Sequence, residues 1–279
     1  MIRPVAYLKP RTIEEVLSAL DGKNARVLAG GTDLLVDMRN GIIKPDLLVD
    51  IKGIDDLKLL SFDSGGFAIG SCVTLNEIID NANMKKKCPV LCDAASSIAT
   101  FQLRNRATAV GNICNASPAA DMFPPLFVLG AMVVIATRRG ERKVPVRDFV
   151  TGVKKTSLKK GEIVVRVEVP LPPAGARMLF LKKQRIRGHD LAIINMAGIA
   201  HRDSKMLKIC VGACGETPVV IPDTDQLYRS VKDHVKLSEE VSRLALGAIS
   251  PIDDVRASAE YRRDMVGVYV KRLVEQLCS

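Results

Sequence analysis

Gly30-Gly31-Thr32 lies between an apolar run, residues 25–28, and a short helical pattern over residues 33–39. A diphosphate needs several backbone N–H groups converging on one point, and a glycine-rich turn supplies them because no side chain blocks the approach. Set between a buried strand and a helix start, this turn would also face the anion with a helix dipole and the Thr32 hydroxyl. An ordinary tight turn uses the same residues, so the motif alone leaves both readings open. Residues 104–121, Arg-Asn-Arg-Ala-Thr-Ala-Val-Gly-Asn-Ile-Cys-Asn-Ala-Ser-Pro-Ala-Ala-Asp, are dense in small and amide side chains. Such a stretch lets backbone approach a flat ligand, with Thr108, Asn112, Ser117 and Asp121 to bond its polar edges. A buried irregular loop that satisfies its own backbone is the alternative.

Other chemistries find less support. Neither Gly-x-Gly-x-x-Gly nor a Walker A sequence occurs, which argues against a Rossmann site. Cys88 and Cys92 are four apart, as are Cys210 and Cys214, but no Cys-x-x-Cys pair or nearby histidine completes a metal or iron–sulfur set. An odd count of seven cysteines without an export signal reads as free thiols. His189, His201 and His234 have no spacing relation and read as structural or surface residues, so no residue is assigned catalysis. The net charge of +10 is scattered in short groups such as Lys85-Lys86-Lys87 and Lys159-Lys160. With 4% aromatics and no Trp, a solvated surface, an acidic partner or an anionic cofactor is favoured over nucleic acid.

The elements that must position these loops are legible. Thr12 to Glu15 reads as a capping box before a helix with an Ile13, Val16, Leu17, Leu20 stripe, ended by Asp21-Gly22. Strands are predicted over 25–28 and 46–51, then a hairpin over 57–62 and 67–70. A second capping box at Thr74 opens a helix toward Asn81, and 89–99 fits another helix with proline in its first turn. Residues 131–138 and 143–146 form the next hairpin. Three prolines among residues 170–173 mark a boundary. Beyond it come strands over 177–185, 192–201 and 206–214, then helices over 226–231, 238–248 and 255–277. The last is expected to bury Tyr261, Met265, Val268, Tyr269, Leu273 and Leu277. Strands followed by helices indicate α+β and not a wound parallel sheet. A chain of 279 residues, 47% hydrophobic, can bury two compact cores. Its start lacks the apolar stretch of a secretory signal, and the longest nearly apolar run, 124–136, falls short of the roughly 20 residues that span a bilayer. A soluble, cytoplasmic protein with no membrane span is expected.

Residues 28–35 and 104–121 resemble, in that order, the two FAD loops of the FAD-binding (medium) subunits of molybdenum hydroxylases, the xanthine dehydrogenase and aerobic carbon monoxide dehydrogenase types. The resemblance extends over nearly the whole chain, through Tyr7 to Pro10, residues 46–51 and 162–170, Lys182, Asp190-Leu191-Ala192 and Glu260-Tyr261-Arg262-Arg263. It implies an α+β chain whose residues 1–172 form a vanillyl-alcohol-oxidase-type (PCMH-type) FAD-binding domain of two α+β subdomains, about 1–55 and 56–172. A C-terminal α+β domain, 173–279, with antiparallel sheet and helices, would follow. One FAD is implied, with Ala29, Gly30, Gly31, Thr32, Asp33, Leu34 and Leu35 along its diphosphate and ribityl chain. Thr108, Gly111, Asn112 and Asp121 would hold the other side, Ile163 would approach the adenine or flavin, and Lys182 would lie near the isoalloxazine ring.

The resemblance also implies partners: a [2Fe-2S] small subunit and a molybdopterin large subunit, arranged as a dimer of heterotrimers. Electrons would leave through FAD to an external acceptor such as NAD(P). One residue departs from the family pattern, because Val110-Gly111-Asn112 stands where the family shows Gly-Gly-Asn. If that position needs positive φ, a β-branched residue resists it, the loop must bend differently and FAD affinity falls. A self-sufficient FAD oxidoreductase and a flavin-free scaffold subunit are the competing functions.

Overall fold

The protein is seen in a computed structural model that describes residues 4–21, 24–186 and 190–279. Gly22, read as a helix end, and His189 lie outside the described residues. Ala6–Leu8 (β1), Ala25–Leu28 (β2) and Leu47–Asp50 (β3) form a parallel sheet in the order β1-β3-β2. Helix Ile13–Leu20 crosses over between β1 and β2, and buries Val16, Leu17 and Leu20. Its Thr12 hydroxyl accepts the Glu15 N–H, but the Glu15 carboxylate accepts the Arg11 N–H at 2.7 Å, so the predicted capping box is half made. This small parallel unit is what strand–helix–strand connections build; the other sheets are antiparallel.

Leu60–Asp63 (β4), Gly66–Gly70 (β5), Met132–Thr137 (β6) and Gly140–Pro145 (β7) follow, with a ribbon of Val150–Gly152 (β8) and Lys155–Thr156 (β9). Ile163–Pro170 (β10) inserts centrally to give the sheet β4-β5-β10-β6-β7. Because β10 is covered on both faces, it reads as a run of valines and not as an alternation. Ile163 and Val165 join the core beneath the first sheet, with Val16, Val49 and Ile51. Val164, Val167 and Val169 join the opposite core with Leu75, Leu91 and Leu126. The strand predicted to start at residue 57 begins at Leu60. Leu57 instead sits in the turn Asp55–Lys58, buried, with its carbonyl accepting the Cys72 N–H at 2.7 Å. Thr74 makes the complete capping box expected of it.

Arg177–Lys183 (β11), Ile194–His201 (β12), Met206–Gly212 (β13) and Val219–Val220 (β14) form the last sheet, antiparallel in chain order. One face carries the helices Thr224–Ser230, His234–Ala248 and Ala259–Cys278. From the other, Phe180, Ala197, Ile199 and Cys210 enter the core of the preceding half, so the largest apolar cluster runs across the proline-rich junction.

The final helix corrects an expectation. Tyr261 and Val268 are 37% and 39% exposed, while Arg262, Val266, Val270, Leu273, Val274 and Leu277 are buried. The reason is Arg262. Its guanidinium donates to the carbonyls of Ile193 and Ala213 and, at 2.7 Å, to Asp254. A hydropathy pattern places any arginine on the wet face, but one whose two terminal guanidinium nitrogens both find acceptors goes inside. Burial works against ionisation of Asp254, yet hydrogen bonds from Arg256, then the charges of Arg256 and Arg262, hold its carboxyl well below the usual range.

Candidate functional site

The first loop leaves β2 at Leu28 and re-enters regular structure at helix Leu34–Arg39, one residue later than predicted. The backbone N–H groups of residues 30–34 find no acceptor among the described residues. Two glycines make this possible. Gly31 has φ +78°, and a Cβ on Gly30 would stand 2.1 Å from the Arg106 carbonyl oxygen. The two predicted loops therefore touch at Gly30, backbone to backbone.

The second segment is not the irregular loop that its composition left open as the alternative. It forms helices Phe101–Arg104 and Ala109–Cys114. Thr108 caps the latter, its hydroxyl accepting the Gly111 N–H at 2.9 Å, and a Cβ on Gly111 would crowd that oxygen at 2.8 Å. Asn112 accepts the Met122 N–H at 3.3 Å, so both polar side chains partly serve the chain itself. Replacing Thr108 by Ala removes the cap and should lower stability by about 1 kcal/mol, read as a reduced urea midpoint that Thr108→Ser recovers. Val110 is helical and buried, with ordinary negative φ. The positive φ falls instead on Ala99 and Ala116, at 47° and 46°. The feared conflict at Val110 does not arise, and with it goes the residue that suggested a flavin-free scaffold.

Between these segments lies a cavity of about 430 Å³. Ala29, Gly30, Gly31, Thr32, Asp33 and Leu34 line one wall, and Thr108, Gly111, Asn112 and Asp121 line another. Ile163, at the start of β10, and Lys182, on β11, complete the set. Leu35 does not face the cavity. Its side chain turns back on Gly31, where an added Cβ would meet Leu35 Cδ1 at 3.2 Å.

Lys182 brings the last sheet to the cavity. Its Nζ lies 2.7 Å from Asp121 Oδ2 and 3.0 Å from the Ser97 carbonyl, and Asn195 Nδ2 donates to Asp121 Oδ1 at 2.7 Å. Burial pushes the Asp121 carboxyl up, opposed by the charge and hydrogen bond of Lys182. Asp33 is also raised, by burial first and by Asp37 with it, against Lys154. Burial pushes the Cys114 thiol, on the same wall, up to about 12. Sequence reading missed Asp37, Ser71, Ala99 and Leu103 in the lining, and took Glu162, Asp190 and Leu191 only as marks of resemblance. Of these, only Glu162 and the pair Asp190-Leu191 carried any signal. Asn195 stood in a strand-like run and gave none. No group of three or more His, Cys, Asp or Glu could hold a metal ion, and no helix is long and apolar enough to cross a membrane, among the described residues. All seven cysteines are free thiols.

An N–H cradle that a Cβ would fill, opening on a cleft between α+β units, fits a diphosphate-bearing cofactor held outside any Rossmann fold. Residues 3–172 match the FAD binding domain in molybdopterin dehydrogenase, and residues 180–277 the CO dehydrogenase flavoprotein C-terminal domain. The xanthine dehydrogenase FAD-binding subunit of Escherichia coli O157:H7 is 29% identical over 97% of this chain and 95% of its own. The carbon monoxide dehydrogenase medium chain of Afipia carboxidovorans is also 29% identical, with the same coverage. A solved carbon monoxide dehydrogenase chain from Hydrogenophaga pseudoflava superposes with a TM-score of 0.95 at 27% identity, covering 99% of this chain and 98% of that one. The chain belongs to the FAD-binding medium subunits of the xanthine dehydrogenase and carbon monoxide dehydrogenase family. Its PCMH-type FAD-binding fold and its cofactor, FAD, follow, and its relatives are oxidoreductase subunits.

Proposed function

We propose that this chain is the electron exit of a molybdenum hydroxylase complex. Electrons from two [2Fe-2S] clusters on a small partner subunit, fed by a molybdopterin large subunit, would reach the FAD held here and pass to an external acceptor such as NAD(P). The observation that carries the reading is the cradle of unaccepted N–H groups at residues 30–34, facing the second loop across one cleft. Bound FAD supplies the exchange between one-electron donors and a two-electron acceptor. The residues bind and orient. Ala29 to Leu34 would take the diphosphate; Thr108, Gly111 and Asn112 would fix the opposite wall through their backbone; Ile163 would cover a ring face.

Lys182, from the C-terminal domain, residues 173–279, would close the cleft by pairing with Asp121 of the FAD-binding domain, residues 1–172. Leu35 would act by packing behind Gly31. Most of the wall's ionisable groups favour binding over acid–base work: Glu162 is paired with Arg142, Asp190 with Arg185 and Asp121 with Lys182, and Cys114 is held protonated. This weighs against a self-sufficient oxidase. Seven thiols suit a reducing, cytoplasmic compartment, and assembly as a dimer of heterotrimers completes the reading.

Isolated from its native host, the chain is expected to bring an iron–sulfur subunit and a larger molybdenum subunit with it and to show flavin absorbance. A chain found alone and turning over a substrate unaided would overturn the reading.

A further inference from the structure

The peptide joining Ala29 to Gly30 is held from behind by a residue that is not part of the cavity lining. Lys52, in the turn Ile51–Gly53 after β3, donates its Nζ to the Ala29 carbonyl oxygen at 2.9 Å and stands 2.7 Å from Asp50 Oδ1. Asp50 is buried and itself fixed. Its Oδ1 accepts the Lys52 N–H at 3.0 Å, and its Oδ2 accepts the Tyr7 hydroxyl at 2.6 Å. Tyr7 lies on β1 and Asp50 ends β3, so the relay ties two strands of the first sheet to the loop that leaves the third.

In a trans peptide, the carbonyl of one residue and the N–H of the next point in opposite directions. The Ala29–Gly30 bond is trans, as are all those among the described residues. A cation that pins the Ala29 oxygen therefore also fixes the Gly30 N–H, facing away from itself. That N–H has no acceptor among the described residues, and both Ala29 and Gly30 line the cavity. We infer that Lys52 is a positioning residue for cofactor binding, setting the Gly30 N–H toward the diphosphate without touching it. The inference rests on the FAD cavity proposed above. Charge attraction is a poor alternative, because Asp50 neutralises the ammonium at contact distance.

The test uses the full chain stripped of flavin, with FAD, ADP and riboflavin each titrated calorimetrically. Lys52→Met keeps the aliphatic stem and removes the donor. FAD and ADP, which carry the diphosphate, should each bind about tenfold more weakly, while riboflavin, which lacks it, binds as before. The ratio of FAD to riboflavin affinity within one preparation does not depend on how much of it is folded. Lys52→Arg retains a donor and should restore most of that ratio. Equal weakening of FAD and riboflavin, or unchanged FAD binding in Lys52→Met, overturns the inference while leaving the cavity assignment standing. A wild-type chain that binds neither FAD nor ADP overturns both.

Discussion

Gly30→Ala is expected to leave the protein folded and colourless. The added methyl would meet only backbone: the Arg106 oxygen at 2.1 Å, its carbon at 2.9 Å and Ala107 Cα at 3.1 Å. That segment cannot slide away. The Leu75 N–H holds the Ala107 carbonyl at 2.9 Å, Asn76 holds the Asn105 side chain at 2.7 Å, and the Arg106 N–H is spent on Leu103. The first loop has to retreat instead, taking its N–H groups out of register with the diphosphate. Overpacking against rigid neighbours costs about 1–3 kcal/mol. Taken from binding, the upper end of that range is about a hundredfold in FAD affinity. Gly31→Ala should do less. Its clash at 2.8 Å is with the Leu28 side chain, which can turn, although its φ of +78° still costs something in any L-residue. Bound flavin per chain, measured beside a circular-dichroism melt, decides it. A Gly30→Ala protein that keeps wild-type flavin content would show that the loops do not need this contact.

The first loop was legible because its signals are local: an apolar run, two glycines and a following helix, all within residues 25–39. The second segment's candidate polar residues were legible, but its two short helices were not. Small residues and amides suit both an irregular loop and short capped helices, and the Thr108 cap, which decides between them, is one hydroxyl in a run of polar residues. Leu35 was misplaced for a similar reason. A motif string gives sequence neighbours, whereas a helix turns each successive residue by about 100°, so Leu34 and Leu35 face different ways. Asn195 and Lys52 were out of reach altogether, because each acts across long sequence separations on groups that only the folded sheets bring near. The buried face of the last helix was lost to Arg262, whose partners at Asp254, Ile193 and Ala213 no periodicity encodes.

Lys182→Met should be the most destabilising single change at the cavity. Wild-type Asp121 is buried with two partners, Lys182 and Asn195; the substitution leaves a buried carboxylate with one neutral donor. Removing one member of a buried pair costs about 3–5 kcal/mol. The loss has a definite pH sign. In the wild type, burial already raises Asp121 above its ordinary 3.8 despite Lys182. The folded state therefore keeps a proton that the unfolded state releases, and stability falls as pH climbs from 3.8 through the folded-state value. Without the ammonium that folded-state value moves higher, the window widens, and the variant loses more over the climb. The deficit should be smallest at acid pH and grow as the pH climbs toward neutrality and Asp121 ionises. Adding Asp121→Asn removes the stranded charge and should return part of the stability, with the pH dependence flattened. Urea midpoints of the flavin-free chain across that range test this directly. A Lys182→Met deficit that is constant with pH would mean that lost packing, and not the abandoned charge, sets the cost.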